Sequence, residues 1–152
     1  EVEVKFDLDS KSFYENHKMT LAKRNSIINY SYELFKRMYD ISYNNDAGKT
    51  IYALDKNGDI HSALFIIWDD ISAYDLISTI DPDYTSSSSS DLLVYEAVKF
   101  VSDKTNKFDF EGSMIEGVEN SFRRFGTVQK PYFTISKAFK YKLIFNIYKS
   151  LR

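Results

Sequence analysis

Acid–base chemistry in this chain has few candidate carriers, and the densest group lies in KFDFEGSMIEGVENSFRRFG, residues 107–126. Phe108 and Phe110 alternate with Asp109 and Glu111, so a strand here puts both carboxylates on one face. Gly112 lets the backbone turn, and Ser113 is placed to cap a following helix. Val118, Phe122 and Phe125 then recur at near-helical spacing, and Gly126 stands where a glycine ends a helix. Two carboxylates at the carboxyl end of a strand occupy the usual ligand-binding end of an open α/β sheet. A carboxylate in a partly dry cleft accepts a proton from an attacking amine. The competing reading is structural: the acids fix the Gly112 turn, cap the helix or pair with an arginine.

Other chemistries are excluded or thinly supported. With no cysteine, thiolate catalysis, disulfides and zinc–thiolate sites are impossible, and a reducing, cytoplasmic setting is consistent. His17 and His61 are isolated and form no metal-binding spacing, so they read as packed side chains and no metal is expected. DKNGDI opens like a calcium loop, but Ile60 and Ile66 stand where Gly and Glu are needed. A net charge of −2 gives no case for a duplex-binding face. No apolar run approaches the ~20 residues of a membrane span. The lysines of the tail could face a membrane or RNA backbone; they read first as the wet side of a docked helix.

The elements that must position these residues follow from periodicity. Alternation over 2–8 is a strand. Asp9 or Ser10 caps a helix with Phe13, Tyr14, His17 and Leu21 inward. A second helix from about Ser31 to Ser42 carries Leu34, Phe35, Met38 and Ile41 as its stripe. The period then drops to two. Strands over 50–55, 60–68 and 71–80, joined by KNGD and Asp69-Asp70, form an antiparallel meander. Asp81-Pro82-Asp83 ends it. After the serine run at 85–90 comes a helix from Asp91 to Asp103, then the central unit, with its helix over 114–125. A strand from Val128 to Ser136 and an amphipathic helix over 137–152 close the chain. At 152 residues this is one domain.

The order β-α-α-β-β-β-α-β-α-β with an added C-terminal helix, together with FDFEGS, SFRRFG and PYFTISK, resembles the Fem-type branch of the GNAT acyltransferases, the branch of the peptidoglycan aminoacyltransferases. The resemblance implies an α/β fold, a GNAT-like mixed central sheet splayed near its middle. It implies N-acyl transfer to an amine of a cell-envelope sugar or peptide. The donor would be acetyl-CoA or, in the narrower reading, an aminoacyl-tRNA. Fem-type proteins carry two such domains in tandem, so residues 1–152 would be the second, with an upstream domain in the same chain.

Residue by residue, the resemblance makes Glu111, with Asp109, the proton acceptor. The donor would be held by backbone amides of the third meander strand at Ile77 and Ser78 and by Ser88, Ser89 and Ser90 at the next helix start. Arg123 on the flanking helix would assist, although a solvated helix end is its plain alternative. Two departures stand out. The serine run has no glycine where GNAT enzymes carry a glycine-rich diphosphate loop, and it also reads as a loop whose last serine caps a helix. Phe122 occupies the place of a proton-donating tyrosine. Both favour an alternative of another class, a non-catalytic docking or interaction domain of a tandem acyltransferase.

Overall fold

The computed structural model of the protein describes residues 1–112, 116–131, 133 and 135. Strand β1 (Glu3–Phe6) is followed by helices α1 (Ser10–Lys23) and α2 (Tyr32–Asn44). Then come β2 (Gly48–Leu54), β3 (Ile60–Trp68) and β4 (Ala73–Ile80). A 3-10 turn (Pro82–Ser87) leads into α3 (Ser89–Val101), β5 (Phe108–Asp109) and α4 (Glu116–Arg123). The sheet runs β1-β2-β3-β4-β5 in space; its first three pairings are antiparallel, and β4 with β5 is parallel.

Local chemistry starts the helices where the sequence predicts. Asp9 caps α1 by accepting from the N–H groups of Lys11 and Ser12, both at 3.0 Å, and Ser31 caps α2. The β2–β3 hairpin closes on Asp55, whose carboxylate accepts the N–H groups of Asn57 and Asp59.

The sheet is covered on both faces. On one face α1 and α2 bury Phe13 and Phe35 against Phe65, with ring centroids 5.4 to 6.1 Å apart. On the other, α3 lays Leu93, Ala97 and Val101 over Ile51, Ala53, Leu64, Ile66 and Ala73. Both faces being buried explains why β3 reads as one apolar run, ALFIIW, rather than an alternation.

Some expected details differ. Leu34 (42% exposed) and Ile41 (64% exposed) lie on the outward flank of α2, because Phe35, Met38, Tyr39 and Ser42 face the sheet. In α1 the fully inward positions are Phe13, Asn16 and Thr20, and Asn16 accepts a hydrogen bond from the Thr79 hydroxyl at 2.9 Å. The serine stretch is a 3-10 turn that runs into α3 two residues before Asp91. The expected strand from 128 to 136 is not found in the residues described there, 128–131, 133 and 135, none of which is in a strand; residues 132, 134 and 136 and all of the expected C-terminal helix lie outside the described residues. None of the described helices is long and apolar enough to cross a membrane.

Candidate active site

β4 and β5 share only two rungs, Ala73 with Phe108 and Tyr74 with Asp109. Beyond Tyr74 the far edge of β4 has no strand partner among the described residues, so its backbone donors and acceptors face the space beside β5. Two irregularities shape that space. Phe65 pairs with Ile77 but Ile66 pairs with Asp75, which makes Leu76 a bulged residue in β4. β5 ends at Asp109, and Glu111 and Gly112 then take left-handed φ of 57° and 70°, turning the chain away.

The bulge decides which side chains meet. In regular alternation Asp75 and Ser78 would point to opposite faces. With Leu76 as the extra residue, both lie on the α3 face, opposite Ile66 and Leu64. The Ser78 hydroxyl lies 2.7 and 2.9 Å from the two Asp75 carboxylate oxygens and donates to them. Asp75 is 7% exposed, while Ser78 is on the surface. Burial pushes the Asp75 carboxyl up to about 6; the Ser78 hydrogen bond opposes this and the negative charge of Glu111 adds to it. Asp75 therefore combines a raised proton affinity, an ordered partner and a second carboxylate nearby.

The predicted residues fall into four places. Glu111 is exposed at the end of β5, close enough to Asp75 to act on its charge. Asp109 is also exposed, and its carboxylate accepts the Glu111 N–H at 2.8 Å, bracing the turn. Ile77 and Ser78 flank the unpaired edge of β4. The third place is the start of α3. Ser88 takes a left-handed φ of 54° and forms no side-chain cap bond; Ser89 is buried, and its N–H and hydroxyl both lie against the Ser87 hydroxyl. Ser90 follows in the first turn, with Asp91. Arg123 pairs with Glu119 within α4. Its neighbour Arg124, in the turn after α4, reaches Asp91 at 3.2 Å and so brings a cation to the α3 N-terminus.

The sequence reading did not single out Asp75, and of the two neighbouring arginines it chose Arg123 rather than Arg124. Asp75 had one visible signal, a lone acid inside the strand AYDLISTI, three residues before a serine. Arg124 had only the phase of a short helix. The two histidines lie outside this site. Half-buried His17 shares a 2.9 Å hydrogen bond with the Tyr30 hydroxyl; burial holds its imidazole below the ordinary range and pushes Tyr30 up to about 12. His61 is the bulged residue of β3 and stacks on Tyr84 at 3.9 Å. Among the described residues no group of three or more His, Asp or Glu is arranged to hold a metal. A shallow groove of about 330 Å³, floored by Val98, Val101 and Phe108, opens where α3 ends and does not include Asp75 or Glu111.

No family model matches this chain, and no curated protein matches it. Solved structures do. A predicted acetyltransferase of Clostridium acetobutylicum, solved with acetyl-CoA, superposes with a TM-score of 0.70 at 11% identity, over 90% of this chain and 96% of that one. Glucosamine-6-phosphate N-acetyltransferase of Arabidopsis thaliana gives 0.65 at 13% identity, over 91% and 99%. An aminoglycoside acetyltransferase from an uncultured soil sample, in complex with sisomicin, gives 0.65 at 12%, over 91% and 97%. The fold is that of the GNAT-type acetyltransferases. At these identities the likeness is one of fold. The β4–β5 fork, the bulge at Leu76 and the start of α3 all belong to the described residues.

Proposed function

We propose that the chain is an N-acyltransferase that moves an acetyl group from acetyl-CoA to the primary amine of a small molecule. The single observation that carries this reading is Asp75, a buried carboxyl raised to about 6, standing where β4 and β5 part. Above that pH it is ionised and can take the proton that an amine must lose on attacking a thioester. Glu111, at the mouth, favours a cationic amine by its charge, and Asp109 holds the turn that places Glu111. The free edge of β4 at Ile77 and Ser78 offers backbone groups to the donor's amide-bearing arm. Ser88, Ser89 and Ser90 at the α3 start, with Arg124 and more remotely Arg123, suit the donor's phosphates. Most of the rate enhancement would come from holding amine and thioester at attack distance.

The test uses the purified chain, acetyl-CoA and three acceptors: glucosamine 6-phosphate, sisomicin and a peptide beginning with alanine. Thiol release that depends on the acceptor, and that falls about 100-fold or more in Asp75→Asn, is expected. Acetyl-CoA binding undetectable by calorimetry, with no thiol released, would remove the reading.

A narrower version places the protein in the Fem-type branch, in the cytoplasm, with a cell-envelope amine as acceptor and a preceding domain in the same chain. FDFEGS and SFRRFG support it. Its own experiment supplies aminoacyl-tRNA as donor and a peptidoglycan-precursor amine as acceptor. A non-catalytic docking domain is the second reading. It is favoured by Asp91 in the first turn of α3, by Cβ-bearing residues throughout 81–91 and by the phenyl ring of Phe122. That reading expects neither donor to bind.

A further inference from the structure

Acyl transfer between a thioester and an amine has two proton requirements. The attacking nitrogen must lose a proton, and the departing thiolate must gain one. Asp75 meets the first. Phe122, where the resemblance looks for a proton-donating tyrosine, does not meet the second: it packs on Phe110 at 4.9 Å, beside Phe125 at 5.8 Å. A phenyl ring has no proton to give.

The β4 bulge offers a hydroxyl instead. It brings one hydroxyl, that of Ser78, onto both oxygens of one buried carboxylate. The two residues differ in access: Asp75 is enclosed, whereas Ser78 stands on its solvent side. The hydroxyl is therefore the outlet through which a proton on Asp75 can leave. A serine placed only to satisfy a buried acid would have no need to be exposed at the unpaired edge of the strand.

We propose that Ser78 and Asp75 form a proton relay, in which Ser78 protonates the leaving thiolate and Asp75 receives the proton of the amine and restores the hydroxyl. This rests on the transferase reading above. The relay acts on the neutral amine, whose extra ammonium proton has already gone to solvent. As the carbon–nitrogen bond forms and the carbon–sulfur bond breaks, one N–H proton passes to an Asp75 oxygen. The Ser78 proton passes to sulfur, and the Asp75 proton replaces it on the Ser78 oxygen. The products are an amide and a free thiol, and both residues end as they began.

The experiment compares wild type, Ser78→Ala and Ser78→Thr with whichever of the three acceptors above the wild type uses best. Two donors are used: acetyl-CoA, and S-acetyl-5-thio-2-nitrobenzoate, whose thiolate leaves unprotonated at neutral pH. With acetyl-CoA, kcat of Ser78→Ala should fall about 100-fold while the calorimetric Kd for acetyl-CoA stays within about twofold, and Ser78→Thr should recover most of the loss. With the activated donor the alanine variant should lie within about threefold of wild type. An alanine variant that keeps its kcat with acetyl-CoA, or that loses equally with both donors, overturns the relay while leaving the transferase intact. A wild-type protein that binds no acetyl-CoA and releases no thiol overturns both.

Discussion

Burial gives the Asp75 carboxyl a proton affinity that the unfolded chain lacks, so its ionisation is coupled to stability. Its folded value, about 6, lies above the ordinary 3.8. Between those values the folded chain holds more protons than the unfolded one. The favourable contribution is complete below the lower value and is lost as pH rises through the upper one. Ionised Asp75 then costs the fold about 3 kcal/mol at neutral pH. Asp75→Asn should recover much of this at pH 8 and little at pH 4, in urea titrations at the two values, while transfer falls. Equal stabilisation at both would mean that Asp75 is not raised in the fold. Two neighbours move the same titration in opposite directions. Glu111→Gln removes a negative charge and should shift the acid limb of kcat/KM to lower pH. Ser78→Ala removes a hydrogen bond to the ionised form and should shift it higher. At this scale alternation kept Glu111 in one strand with Phe108 and Asp109, whereas the chain leaves β5 at Asp109 and Glu111 stands in the left-handed turn just beyond. The Asp75–Ser78 pair was not legible in the sequence, since a two-residue period puts them on opposite faces and only the register slip at Leu76 joins them.

Among the elements, the order of helices and strands was readable because the hydrophobic period changes from helical to two at residue 50, two residues after β2 begins, and the turns carry Asp, Asn and Gly. The inner face of α2 was less readable. Leu34 and Ile41 outrank tyrosine on any apolar scale, yet Tyr39 and Tyr43 go inward because their hydroxyls find partners in the Leu8 carbonyl and Thr50. The junction of α2 with β2 makes a sharp prediction. A Cβ on Gly48 would lie 2.2 Å from the Ser42 hydroxyl oxygen and 2.5 Å from its Cβ. Gly48→Ala should therefore destabilise the fold by about 2 kcal/mol, because helix end and strand start must separate. Ser42→Gly in the same chain removes the obstructing atoms and should return part of that loss, a coupling that a double-mutant cycle of urea midpoints would read. Independent, additive losses would show that the contact is not the cause. β5, by contrast, is two residues long where alternation suggested more, since the left-handed turn at Glu111 and Gly112 outweighs the strand preference of Phe110.

Across the whole molecule, α3 sits on one sheet face and α4 follows β5, and the Arg124–Asp91 ion pair ties them beside the proposed donor site. The glycine-free serine stretch did not announce such an arrangement, because a cation delivered from the turn after α4 leaves no local pattern. The pair is well exposed, so on its own it adds little stability, on the order of 0.5 kcal/mol. That separates folding from binding in a test. Arg124→Ala should leave the urea midpoint of the free protein nearly unchanged but weaken acetyl-CoA about tenfold, since it removes a cation from the helix start and leaves Asp91 to repel the phosphates. Arg123→Ala, which releases only Glu119, should change binding less than about twofold. Wild-type protein at a hundred times Kd of acetyl-CoA should gain about 2.7 kcal/mol by mass action, and the Arg124 variant at the same concentration correspondingly less. Raising salt should narrow the difference between the two arginine variants, because the lost attraction is electrostatic and screened. If both variants bind alike, or neither wild type nor variant is stabilised, the start of α3 is not where the donor's phosphates rest.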